Sequence, residues 1–286
     1  MGRSTQGSQR RRGLHSHPYA RGMGDLIPLF PLGTPLFPGV VLPLHVFEPR
    51  YRRLVQDLLS LPEGSDRAFF GVVAIRQGWE VERIAPAEAL YDIGCTAHLR
   101  RVGAQPDGGF AIVTVGADRF RLLDLVVGED PPYLQAEVEW LADEEAAEDA
   151  AGDTDGLVIA PPARNRQDLD DVAASVARSS LELLTHGVSG LLAQYVAEVS
   201  ALGAVGDEAE VAELLQESQD PTALSWLVAA AAQLTTEDRQ ALLAESATRR
   251  RLAMEARVLR RELTLLQTLR AIPVPLRQFA TPMTVN

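Results

Sequence analysis

The sequence predicts an α+β chain: a β-rich, small barrel-like unit over residues 26–141, followed by an all-helical unit over 173–271. Three observations predict it. The first half breaks into short apolar runs separated by Gly and Pro turn signals, the mark of successive strands. Its opening apolar block carries too many prolines to be a helix. The second half carries leucines at heptad spacing behind clear helix-start signals.

The opening block runs from Leu26 to Val55 and has no charged side chain between Leu26 and Phe47. By hydropathy alone it would pass for a membrane span. Prolines 28, 31, 35, 38 and 43 exclude that reading, since each costs roughly 3 kcal/mol in a helix interior. Extended chain in lipid would leave its backbone groups unpaired. The block is therefore buried extended chain cut by turns. Glu48-Pro49 reads as a helix start, with Pro49 at the first helical position. From Arg50 to Leu61 the side chains of Tyr51, Leu54, Val55, Leu58 and Leu59 share one helical face.

Strands are expected at Phe69–Ile75, at Ala97–Val102 and Phe110–Val115 flanking the turn Pro106-Asp-Gly-Gly109, and at Phe120–Val127 and Tyr133–Leu141. Several short strands around one helix suggest a curved or barrel-like sheet. Residues 142–172 carry ten acids against two arginines, then Pro161-Pro162, and read as an acidic linker. In the helical unit, Asp220 caps a helix with Pro221 at its first position, and Thr235-x-x-Asp238 opens another. The last helix places Leu252, Leu259 and Leu266 at heptad spacing, with Ala256 and Leu263 between. That stripe serves either core packing or self-association. Residues 1–25 read as a disordered basic tail, with Met23 opening onto the first strand, and residues 272–286 as a C-terminal tail.

Composition excludes several chemistries. All 27 basic residues are arginine; the chain has no lysine. A phosphate-cradling loop needs its lysine, and so does a Ser-Lys dyad. A net charge of −12 argues against broad nucleic-acid binding. The single cysteine, Cys95, forms no internal disulfide and points to a reducing, cytoplasmic compartment. Cys95 and His98 stand three apart on an expected strand and so face opposite ways, a poor ligand pair. His45 lies in an apolar strand and reads as a core or edge histidine.

The opening block, followed in order by Asp92-Ile-Gly-Cys-Thr-Ala-His-Leu-Arg100, the Pro106–Gly109 turn and Val115-Gly-Ala-Asp-Arg-Phe-Arg-Leu122, resembles the N-terminal, substrate-binding domain of the Lon protease family. Pro31, Gly39, Phe47, Glu48, Pro49, Arg50 and Tyr51 carry the most specific part of that likeness. Weaker matches continue through Asp220–Leu227 to about Arg270. The resemblance implies a PUA-like barrel and a stand-alone form without ATPase or protease domains. It implies a non-catalytic module for unfolded or specific protein segments, an adaptor or regulator in protein quality control beside a protease or chaperone. No cofactor, metal, nucleic acid or membrane is expected. The alternatives are an enzyme with an unrecognised site and, third, an RNA-binding protein.

Four residues are candidate peptide contacts. Leu36 and Phe37 lie in the Pro/Gly-framed segment Leu32–Gly39, which either presents them to apolar peptide or plugs the sheet with them as core. Arg119 and Arg121 fall within the family-like motifs in apolar surroundings. Their plainer role, shared with Glu48, is an ion pair tying the first helix to the sheet, or a helix cap from Glu48.

Overall fold

The computed structural model describes residues 24–62, 64–76, 87–143, 166–202 and 220–269. The expectations for residues 1–23, for most of the acidic linker and for the C-terminal tail lie outside these. The elements are β1 (Asp25–Leu32), β2 (Val41–Val46), α1 (Pro49–Leu59), β3 (Phe69–Ile75), β4 (Leu90–Ala104), β5 (Phe110–Val126), β6 (Gln135–Leu141), α2 (Arg166–Ala201), α3 (Pro221–Ala231), α4 (Thr236–Ala244) and α5 (Thr248–Leu269). The fold is α+β, as the sequence predicts. The helical part begins at Arg166 rather than at 173.

The strands run in the order β2-β5-β4-β3-β1-β6, and β6 turns back to pair with β5. The ring β1-β3-β4-β5-β6 therefore closes on itself as a small barrel, with β2 laid along one half of β5. Closure leaves no edge within the ring. β1 and β3 are parallel, with β2 and α1 in the crossover between them; the other pairings are antiparallel.

Two expected strands, Phe110–Val115 and Phe120–Val127, are one continuous strand of 17 residues. The intervening Gly116-Ala117-Asp118, outside both expected strands, is an irregularity within the ladder. The β4–β5 register shifts between Cys95 and Ala97, and the Asp118 N–H donates to Thr96 Oγ1 at 2.9 Å. The first half of β5 pairs with β2 and β4, the second with β4 and β6. β6 begins two residues later than expected; Tyr133 and Leu134 are buried just before it.

α1 buries Tyr51, Leu54, Val55 and Leu58 against the barrel, while Leu59 is 51% exposed at the last turn, off the expected face. Tyr51 stacks on Phe30 with ring centroids 3.9 Å apart. Cys95 is wholly buried in β4, and burial pushes its thiol pKa far up. The sequence-predicted caps are present. Asp220 accepts from the N–H groups of Thr222 and Ala223, and Thr235 accepts from Asp238 N.

α2 and α5 run parallel, shown by the contacts of Ser180 with Arg249 and of Glu198 with Gln267. The α5 stripe Leu252, Ala256, Leu259, Leu263 and Leu266 is buried against α2 residues that include Val188, Leu192 and Tyr195. Self-association through that stripe thus has no surface left in this structure; its apolar area is already covered within one chain.

Candidate functional site

The segment between β1 and β2 does not present Leu36 and Phe37 to solvent. They are 3% and 0% exposed. Of the two readings of this segment, the structure takes the core one, and the reason is local geometry. Gly39 turns the chain with φ +76°, and its N–H donates to Gly116 O at 2.8 Å. A Cβ on Gly116 would collide with the Phe37 carbonyl, so only glycine lets the loop lie this close to β5. Phe37 is thereby driven into the junction between barrel and helices. Its ring centroid lies 6.1 Å from that of Trp226, and the Arg239 guanidinium carbon sits 5.5 Å from the Phe37 ring centroid. Leu242 and Leu243 of α4 complete the same core.

Arg119 is 3% exposed, and the ion pair it makes is not with α1. It reaches from β5 to the C-terminal end of α4. Nη1 donates to Leu243 O at 2.8 Å and to Glu245 O at 3.3 Å; Nη2 donates to Asp143 Oδ1 at 2.5 Å and to Ser246 Oγ at 3.1 Å. The last carbonyls of a helix have no intrahelical partner, and a cation there also meets the negative end of the helix dipole. Arg251 of α5 does the same from the other side, donating to Glu245 O at 2.7 Å and to Ser225 Oγ at 2.7 Å. Its guanidinium lies 3.5 Å from the Trp226 ring centre, a close cation–π contact. Burial lowers the Arg251 pKa to about 10, which leaves it charged at neutral pH. Asp143, at 2.5 Å from Arg119 and 3.8 Å from Arg251, supplies the counter-charge.

The other candidates are placed as follows. Arg121 is on the surface, paired with Glu139 at 2.9 Å. Glu48 is the N-cap residue of α1 but makes no side-chain cap bond; it pairs with Arg50 at 2.9 Å. The expected link from Glu48 to the sheet arginines is absent, because Arg119 faces α4 and Arg121 faces β6. Arg50 also lies over the Tyr51 ring at 4.5 Å. Pro49 occupies the first turn, and Pro31 pairs in register with Val73 of β3. Among the described residues no group of three or more His, Cys, Asp or Glu is arranged to hold a metal. No helix among them is long and apolar enough to cross a membrane.

One exposed apolar surface lies on the outer side of β2 and the β5 half it pairs with; Leu123, Val126 and Val127 are exposed at the other end of β5. Val41 is 59% and Phe47 64% exposed, and Pro43 and Ala111 are also exposed. The register sets Val41 opposite Val115 and Pro43 opposite Val113, so one face carries a run of uncharged side chains. His45 and Phe47 close its end with ring centroids 6.1 Å apart. β2 is also the terminal strand of the sheet order, with its outer edge unpaired among the described residues.

Sequence reasoning singled out Arg119 but missed Trp226, Arg251 and Asp143, the partners that explain it. One signal for the buried polar line was available: Glu255 and Glu262, seven apart, fall on the same helical side as the leucine stripe.

The model of the substrate-binding domain of ATP-dependent protease La (Lon) matches residues 26–261. Lon protease 1 of Herpetosiphon aurantiacus is 26% identical over 246 residues, 85% of this chain and 25% of that protein. Lon protease 2 of Sorangium cellulosum is 35% identical over 116 residues, 40% of this chain and 13% of that protein. The chain thus spans a quarter or less of the length of these curated relatives. Among solved structures, the N-terminal domain of a Mycobacterium avium complex Lon protease superposes with TM-score 0.52 at 18% identity, covering 82% of this chain and 98% of that one, a likeness of fold. A match over the barrel, the junction and most of α5 places this chain in the Lon substrate-binding domain family.

Proposed function

We propose that the chain is a non-catalytic recognition module for unfolded or specific protein segments, acting as an adaptor or regulator in protein quality control beside a protease or chaperone. The observation that carries this reading is the exposed uncharged face of β2 and β5, centred on Val41 and Phe47, beside a free strand edge. An extended polypeptide offers apolar side chains and unpaired backbone groups, and such a surface can meet both. Pro43 removes one backbone donor from β2, which blunts the edge against uncontrolled strand addition. Arg121, half exposed beside Glu139, borders on solvent and is available to a peptide carboxylate. Leu36, Phe37 and Arg119 contribute by holding the barrel and helices together behind that face.

The test uses a chemically unfolded, fluorescently labelled protein of known sequence as the probe. Val41→Ser with Phe47→Ser should weaken its binding about tenfold, the loss expected when an apolar contact worth ~1.4 kcal/mol is removed, while the melting temperature stays put. Equal binding by parent and variant removes this face from the proposal. Purified parent chain should turn over neither ATP nor casein; turnover that persists through purification would favour the enzyme reading instead.

A further inference from the structure

Charge on α5 is sorted by face. Arg250, Arg257, Arg260 and Arg261 lie on its exposed side with Ala253 and Thr264 among them, whereas Glu255 and Glu262 are buried on the other. At 100° per residue the four arginines fall within an arc of about 100° and span about 16 Å of helix. Arg250 pairs with Glu245, and Arg261 with Asp238 and Glu262. The guanidinium groups of Arg257 and Arg260 have no hydrogen-bonding or ion-pair partner among the described residues. Like charges three and four residues apart repel along a helix, so this face carries a standing cost in a chain whose net charge is −12.

We propose that the α5 arginine face is the docking surface for the chain's own acidic segment, residues 144–165. Charge complementarity is the first argument. The segment holds Glu144, Glu145, Glu148, Asp149, Asp153 and Asp155 against one basic residue, Arg164. Chain connectivity is the second. Asp143, the residue before it, is bonded to Arg119 and lies 3.8 Å from Arg251, the neighbour of Arg250. Arg257 is six residues further along α5, a rise of about 9 Å. Extended chain covers up to ~3.3–3.6 Å per residue, so Glu148 and Asp149, five and six residues beyond Asp143, are within reach of Arg257 and Arg260. At its far end the segment joins α2, which runs beside α5 with Ser180 at Arg249. Both ends of the segment are thus tethered to elements that contact α5.

The absence of lysine supplies a clean test. Arg257→Lys keeps the charge and puts the only side-chain amine in the protein on the proposed surface. A zero-length carbodiimide then joins that amine to whichever carboxylate touches it, and peptide mass spectrometry identifies the partner. An equal mixture of ordinary and nitrogen-15-labelled protein separates links within a chain from links between chains. Arg260→Lys repeats the measurement one turn on, and each variant's melt is compared with the parent's to confirm folding. The expected result is a link from Lys at 257 or 260 to an acid between 144 and 155 of the same chain. Its yield should fall at least about fivefold in 0.5 M salt, where the Debye length is only a few ångströms, and likewise in the E144Q/E145Q/E148Q/D149N variant. Links only to acids of the folded helices, mixed-isotope links between copies, a yield indifferent to salt, or no link at all would each overturn the proposal.

Discussion

The barrel and the helical unit solve the same problem in opposite ways. Both must pair every buried backbone group. The barrel does so by closing its ladder through β5 and β6, and its interior is almost wholly apolar: Leu29, Phe70, Val72, Cys95 and Phe120 are each fully buried. The helices pair their backbones internally but leave their ends open. Their interior accordingly holds Ser225, Gln240, Thr248, Arg251, Glu255 and Glu262, of which Arg251 serves a helix end directly. The lesson is that polar burial concentrates where one unit must finish the hydrogen bonds of the other. Arg119, the one charged side chain buried in the barrel among the described residues, is spent on the end of α4.

The sharpest way to break this contrast is at Phe37, the apolar member of the junction. Phe37→Ala should cost ~3–5 kcal/mol in urea unfolding, as loss of a fully buried aromatic does. A cost under 1 kcal/mol would mean the junction core is loose. Next in size is Arg119→Met. It strips the carbonyls of Leu243 and Glu245 of a donor and frees Asp143, for an expected loss of about 3 kcal/mol. It should also separate one unfolding transition into two, read by comparing far-ultraviolet circular dichroism with tryptophan fluorescence. Coincident curves at unchanged midpoint would show that the two units are not coupled through this residue.

A subtler effect is expected at Glu255. Both its carboxylate oxygens are buried without a hydrogen-bond partner, and burial holds its pKa well above the usual carboxylate range, against the opposing pull of Arg251. The folded state therefore keeps a proton that the unfolded chain releases. The stability this contributes is complete below the ordinary carboxylate pKa and is lost as pH rises toward the raised native value. Glu255→Gln removes that dependence, so the melting temperature of the variant relative to the parent should climb as pH rises above the ordinary carboxylate range. A pH-independent difference would show the carboxyl is ionised and solvated in the fold. The smallest effect belongs to Phe47→Ser, which should move stability by less than about 0.5 kcal/mol, as exposed positions do.

Much of the fold was legible because local chemistry and global architecture agree. Glu48-Pro49, Asp220-Pro221 and Thr235 start helices where such residues normally start them, and Phe69–Ile75 is the buried strand its composition describes. The errors arose where a local signal was overruled by a distant partner. Gly116 falls outside both expected strands, yet β5 runs straight through it with Phe37 packed against it. Leu36 and Phe37 look like loop-tip contacts until α3 and α4 cover them. Arg119 looks like a partner for Glu48 because sequence shows only neighbours, whereas its acceptors on and after α4 lie 124 to 127 residues away and its carboxylate partner, Asp143, lies 24 away. The exposed face of β2 was hidden for the converse reason: its residues are as apolar as a core, and only the register shows which side faces out.

The lone thiol of Cys95 turns this architecture into its own clock. It sits in the β4 strand at the heart of the closed ring, out of reach of any reagent in solution. Modification by a thiol reagent must wait until β4 comes free. In excess reagent the labelling rate therefore counts openings of the barrel, blind to fraying of the helices. Comparing that rate with amide exchange along α5 would time the two halves of the molecule independently, with no residue changed.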